Sequence, residues 1–193
     1  MNKLNQSSDL CVLIPTYNNE KTLPSVIDAV LLYCSDVIVV NDGSTDKTTK
    51  ILNDYTDKIT VLSYPKNKGK GYALKTGFRE ARQKGFRYVI SLDSDGQHFA
   101  DDIQNFIKAV EKHPDALLIG SRNFNQPNMK QGSLFANKFS NFWVSVQTGK
   151  VLPDTQTGYR LYPLRRMKKI LPFCSRYEAE IELLVRCAWK GIS

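Results

Sequence analysis

Asp93-Ser94-Asp95 sets two carboxylates two positions apart, directly after the apolar run Tyr88-Val89-Ile90-Ser91-Leu92. Carboxylates beside an apolar strand repel one another unless a cation lies between or near them. Hard oxygen donors suit Mg2+ or Mn2+, which bind one or two carboxylates together with substrate phosphates. Asp95 is the first candidate metal ligand, and Gln97 and His98 are candidates to complete the shell. The competing reading is a solvated turn that caps the next helix, with His98 a structural loop histidine.

Similar polar groups follow other apolar runs. They are Pro15-Thr16-Tyr17-Asn18-Asn19-Glu20, Asn41-Asp42-Gly43-Ser44-Thr45-Asp46 and Ser121-Arg122. Any one of them is an ordinary turn; four together point to a site. Asn67-Lys68-Gly69-Lys70-Gly71 opens a helical stretch, where glycine permits close backbone approach and a helix N-terminus with lysines attracts phosphate. No Gly-Lys-Ser/Thr ends it, so it is not a Walker A loop, and without a GxGxxG fingerprint a dinucleotide cofactor is not supported.

These groups need elements to hold them. Apolar runs predict strands over 10–14, 36–40, 59–64, 88–92 and 116–120, alternating with helices over 22–33, 46–55, 71–84 and 101–112. That alternation predicts an α/β fold, a mostly parallel central sheet with helices on both faces. Ligands then bind beyond the carboxyl ends of the strands, where the polar groups lie. After Arg122 the rhythm changes. Residues 123–132 predict a loop. Leu134, Phe135, Phe139, Phe142, Trp143 and Val146 fall near helical spacing, either as a core-facing helix or as a partly exposed aromatic face at a membrane interface. Residues 154–162 return to polar, Gly-containing sequence. A final helix is expected over 176–190, with Ser175 and Glu178 spaced as in a capping box. Glu178 is explained as a cap and Glu182 equally as a solvated face, while Glu178, Glu180 and Glu182 each stay open to a direct role. One domain is expected over 1–193, ending abruptly at Lys190-Gly191-Ile192-Ser193 as though before another strand.

Composition narrows the classes. With 27 Lys plus Arg against 19 Asp plus Glu in 193 residues, the net charge is +8, which suits an anionic substrate, a membrane surface or nucleic acid. No zinc-finger, basic-zipper or RNA-recognition signature is present, so nucleic acid is not expected as a partner. Cys11, Cys34, Cys174 and Cys187 are too scattered for a metal knuckle or redox pair and are expected reduced, in or near the core. No apolar run reaches a membrane span and no signal peptide opens the chain, so the expected compartment is the cytoplasm, with its membrane face as a working surface.

The chain resembles the family 2 glycosyltransferases with the type A (GT-A, Rossmann-like) nucleotide-diphospho-sugar transferase fold. The resemblance is carried by 14–20, 40–46, 67–71 and 92–98, in the family's order and spacing. Within the family it looks most like the dolichyl-phosphate mannose synthase group, through Asp154-Thr155-Gln156-Thr157-Gly158-Tyr159-Arg160 and the segment 176–182. The doubled Asn18-Asn19, where many relatives have one Asn, is expected only to lengthen a turn.

The resemblance implies roles. Pro15, Tyr17 and Glu20 flank the base and ribose of a UDP- or GDP-linked sugar. Asp42 sits near the base, Lys70 near the nucleotide, and Asp93 with Ser94 on the ribose or sugar side. Asp95 binds Mn2+ or Mg2+, with Gln97 and His98 as further ligands. Arg122 and Arg160 hold phosphates. Displacement is direct and inverts the sugar carbon. The implied acceptor is a polyprenyl (dolichyl or undecaprenyl) phosphate; the alternative is a hydroxyl of a glycan, lipid or protein in cell-envelope polysaccharide synthesis. A hydroxyl needs a general base, whereas a phosphate monoester, with its second pKa near about 6, is already anionic at neutral pH. Asp154 is the only carboxylate between Arg122 and Arg176, and so the candidate base. A nucleotidyltransferase would carry a Gly-rich, Arg-containing loop after the first strand, where Pro15–Glu20 stands instead. A module that had lost catalysis would not be expected to keep both Asp93 and Asp95.

Overall fold

The computed structural model describes residues 9–120 and 131–192, with only the backbone described over 131–136. Six strands form one sheet: β1 (Leu10–Thr16), β2 (Val37–Asn41), β3 (Thr60–Ser63), β4 (Tyr88–Ser91), β5 (Leu118–Ile119) and β6 (Arg160–Pro163). Their order is β3-β2-β1-β4-β6-β5. β1 pairs in parallel with β2 and β4, and β2 with β3, whereas β6 runs antiparallel between β4 and β5. The strands β1, β2 and β4 are buried throughout, as strands covered on both faces must be.

The helices are α1 (Leu23–Leu31), α2 (Thr48–Asn53), α3 (Lys70–Gln83), α4 (Asp102–Lys112), α5 (Gln131–Thr148) and α6 (Glu178–Trp189). Alternate strand residues face opposite helix layers. Val12, Ile14, Val39 and Ile90 pack with Leu23, Ile27 and Val30 of α1, Leu52 of α2, and Ile103 and Phe106 of α4. Cys11, Leu13, Ile38 and Val89 pack with Leu74 and Phe78 of α3 and Leu183 and Cys187 of α6.

The alternation read from the sequence is therefore present, with β6 as the exception. Residues 154–162 contain a strand where polar, Gly-containing sequence pointed to none. Its residues are all buried, and its leading Arg160 spends its donors on carbonyls, so polarity hid a core strand. The capping box also fails: α6 begins at Glu178 after Tyr177, without a side-chain cap. Cys11 and Cys187 are buried and Cys34 partly so, but Cys174 is exposed, against expectation.

The chain lays β2 and β3 on one side of β1 and then places β4 on the other. The crevice between the carboxyl ends of β1 and β4 is the switch point at which open sheets bind ligands.

Candidate functional site

Three loops meet at that crevice, and asparagines tie them together. Asn18 adopts φ 53°, a left-handed conformation that Asn tolerates better than most residues. Its Oδ1 accepts Thr45 N–H at 2.8 Å, and its own N–H donates to Ser44 Oγ at 3.0 Å, joining the loops after β1 and β2. Asn19 Nδ2 donates to Ser94 Oγ at 2.7 Å, and Thr22 Oγ1 to the Ser94 carbonyl at 2.6 Å, joining the loops after β1 and β4. The doubled asparagine thus does more than lengthen a turn: each copy fastens a different neighbour. Glu20 adds to the first junction, accepting Lys47 N–H at 2.9 Å while its own N–H donates to Asp46. Pro15 is buried in β1, and Tyr17, just beyond it, is 44% exposed at the mouth of the crevice.

Asp42 is buried and accepts Lys68 N–H at 2.7 Å and Gly69 N–H at 2.8 Å. Both carboxylate oxygens therefore hold the chain's own backbone. Gly69, at φ 95°, precedes α3, and a Cβ there would collide with the Ser175 carbonyl. The close approach that glycine permits at 69 and 71 is used by the backbone of residues 174–175.

The charge that steadies Asp93 is Lys70. Its Nζ lies 2.6 Å from Asp93 Oδ1 and 2.8 Å from Glu180 Oε2. His98 Nε2 stands 3.6 Å from Asp93 Oδ2, with its ring 5.0 Å from that of Tyr159. Burial would raise the Asp93 carboxyl, but His98 and Lys70 outweigh it and hold the group well below the usual carboxylate range. Burial would likewise lower Lys70, but Glu180 and Asp93 outweigh it, so the ammonium stays charged. Glu180 is buried, and its Oε1 has no hydrogen-bond partner. Residue type and spacing alone do not set it above Glu178 and Glu182. The signal for it is its place on the apolar stripe of α6 with Leu183, Leu184 and Cys187, where a carboxylate demands a partner. Glu182 holds the preceding turn: it accepts Phe173 and Cys174 N–H groups and pairs with Arg186 at 2.9 Å.

Ser94 is buried within the junction, while Asp95 and Gln97 are exposed. Asp95 Oδ1 accepts Gln97 N–H at 2.9 Å. Among the described residues no three His, Cys, Asp or Glu side chains gather as a metal shell. Of the candidate ligands Asp95, Gln97 and His98, the imidazole of His98 turns to Asp93 and Tyr159. Asp95 remains, an exposed oxygen donor that fits a divalent cation held by one carboxylate and substrate phosphates.

Two further expectations change. Arg160 is fully buried, and its Nε, Nη1 and Nη2 donate to the carbonyls of Thr157, Glu180 and Thr155. Sealed from solvent with three of its five N–H donors on carbonyls, it binds β6 to α6 and to the preceding loop. Asp154 is also fully buried, with Oδ1 accepting Gln156 N–H at 3.1 Å. Arg122 lies outside the described residues.

Comparison with known proteins follows the same lines. The family model described as Glycosyl transferase family 2 matches residues 11–171. A UDP-N-acetylglucosamine–dolichyl-phosphate N-acetylglucosaminyltransferase of Methanococcus voltae is 30% identical over 196 residues, which cover 90% of this chain and 78% of that one. A polyprenol monophosphomannose synthase of Mycolicibacterium smegmatis is 30% identical over 168 residues, covering 82% of this chain and 63% of that one. The structure of glucosyl-3-phosphoglycerate synthase from Mycobacterium tuberculosis with Mn2+, UDP-glucose and phosphoglyceric acid superposes with a TM-score of 0.67 at 22% identity, covering 92% of this chain and 64% of that one. The chain thus spans less than two thirds of the mycolicibacterial synthase and of the solved protein, the latter a likeness of fold. By its sheet order, its polar loops at the switch point and the span of the family match, the chain belongs to glycosyl transferase family 2 and is a glycosyltransferase by class.

Proposed function

We propose that this chain moves a sugar from a nucleoside-diphosphate donor to a polyprenyl phosphate, with inversion at the sugar carbon and with Mn2+ or Mg2+ held at Asp95. The observation that carries the reading is the division of labour after β4: Asp93 is neutralised by Lys70 at 2.6 Å, while Asp95 is exposed next to Ser94, which the loop after β1 holds. The names borne by the relatives, which act on dolichyl phosphate or make a polyprenol monophosphomannose, support the acceptor.

In this reading Tyr17 covers the base, and Asp42 shapes the crevice wall by fixing Lys68 and Gly69. Lys70 keeps Asp93 ionised and aimed, so that Asp93 accepts hydroxyls of the ribose or sugar. A divalent cation at Asp95 would neutralise charge on the departing diphosphate. A phosphate acceptor is already a nucleophile at neutral pH and asks for positioning, not proton removal. That agrees with Asp154, the candidate base, being sealed from solvent.

Thermal unfolding against UDP, GDP and their sugar conjugates, with and without Mn2+, tests the donor half. Ligand at about 100 times its Kd stabilises by about 2.7 kcal/mol, roughly 5–10 °C for a chain of this size. A Mn2+-dependent shift with one nucleotide names the base; no shift with any nucleotide contradicts the reading.

A further inference from the structure

We propose that a basic cavity at the amino ends of β1 and β4, at the edge of the sheet opposite the crevice, binds an organic diphosphate. The cavity measures about 580 Å3, within the range of small-molecule sites. Arg82, Arg87, Arg165 and Lys168 line it, against one carboxylate, Asp9. The seven residues of β1 separate it from the crevice by about 20 Å.

Backbone hydrogen bonds build its frame. The Asp9 carbonyl accepts Arg87 N–H at 2.8 Å and Tyr88 N–H at 3.0 Å, and the Arg87 carbonyl accepts Leu164 N–H at 2.9 Å. The start of β1, the start of β4 and the end of β6 are thereby fixed side by side. Arg82, in the last turn of α3, donates from Nη2 to the Met167 carbonyl at 2.7 Å. Met167 is buried, while Arg165 and Lys168 on either side of it are exposed. The cations therefore stand on elements already held together, and binding has little left to order.

Charge and unmet donors select the ligand. The Nε of Arg82 and that of Arg87 are buried with no hydrogen-bond partner among the described residues. Burial also pushes the Arg82 guanidinium below its ordinary value, a cost that an anion in the cavity offsets. Asp9 is engaged by Arg87 at 3.0 Å, and Glu80 on α3 faces Lys84 at 3.8 Å. Residues 1–8, which precede Asp9, contain Lys3 and no acid. An excess of three cations matches a diphosphate better than a phosphate monoester, which carries about −1.5 to −2. Half-buried Phe86 and buried Leu164 offer an apolar wall to the organic part. A concave site of this size takes a small molecule, whereas a lipid surface meets a protruding face. The site stands apart from the crevice and does not depend on the sugar-transfer reading.

Inorganic pyrophosphate is the probe. It is titrated calorimetrically into the full chain at fixed ionic strength, with EDTA present so that no divalent cation carries it to Asp95. Saturable binding is expected, with inorganic phosphate and sulfate at least about tenfold weaker. Arg165→Ser with Lys168→Ser weakens pyrophosphate binding at least about tenfold. That variant keeps the unfolding midpoint, because both side chains are exposed. Equal binding by variant and parent overturns the proposal, since the anion then sits elsewhere. Sulfate as tight as pyrophosphate overturns it as well, leaving charge screening only. If the parent does not bind pyrophosphate the proposal falls, and sedimentation of parent but not variant with phosphatidylglycerol vesicles then assigns these cations to a lipid surface.

Discussion

Lys70 Nζ stands 2.6 Å from Asp93 Oδ1 and 2.8 Å from Glu180 Oε2, so one ammonium at the start of α3 serves a carboxylate at the end of β4 and another on α6. Removing it leaves two carboxylates facing each other in a largely buried place. Lys70→Met therefore costs about 3–5 kcal/mol, the range for stripping one partner from a buried ion pair. Adding Glu180→Gln recovers part of the loss, because the neighbours share a network. Urea unfolding of parent, single and double variants measures both. A double variant no more stable than the single would contradict the shared-cation arrangement.

Gly158→Ala tests how tightly Asp93 is framed. A Cβ at 158 would lie 2.5 Å from Asp93 Oδ2, so the carboxylate has to move off its ion pair. A displacement approaching 1 Å costs on the order of 100-fold in rate. Steady-state kinetics should show turnover falling while the fold, followed by circular dichroism, persists. Unchanged turnover would take Asp93 out of the reaction.

Arg160→Lys separates a phosphate ligand from a structural brace. The fork now serves three carbonyls, and a lysine cannot reach them all. Stability should fall by more than about 2 kcal/mol. Normal stability with a raised KM would restore Arg160 as a phosphate ligand.

Glu182 gives a pH signature. Burial raises its carboxyl, but the Cys174 and Phe173 N–H groups and Arg186 outweigh this and leave it below its ordinary value of 4.5. A carboxyl lowered in the folded state adds stability above its unfolded value, and that stability is lost as pH falls through the folded value. The stability difference between the parent and Glu182→Gln should therefore be full near neutrality and shrink progressively below about pH 4.5. Denaturant midpoints across pH 3–7 check this; a pH-independent difference would contradict it.

The parallel part of the fold was readable because β1, β2 and β4 are continuous apolar runs separated by amphipathic helices. β6 was not, because its signal is a buried arginine whose partners are backbone carbonyls, and carbonyls leave no trace in residue identity. The same limit applies at the site. Asp93 and Lys70 were singled out, but their pairing was not, and Glu180 completes it from residues far along the chain. Asp42 was read by type as a ligand-binding acid; two backbone N–H groups, equally invisible in sequence, claim it. Asn18 and Asn19 looked like turn filler, whereas their side chains bridge loops from three strands.

Transfer of the sugar to a phosphate is the decisive step. Purified protein is incubated with labelled UDP- and GDP-sugars and Mn2+, offered either a polyprenyl phosphate or the matching polyprenol. Label should pass to the polyprenyl phosphate alone, and Asp95→Asn should lose the Mn2+-dependent part of that transfer. Label on the polyprenol, or equal transfer by Asp95→Asn with and without Mn2+, would contradict the account.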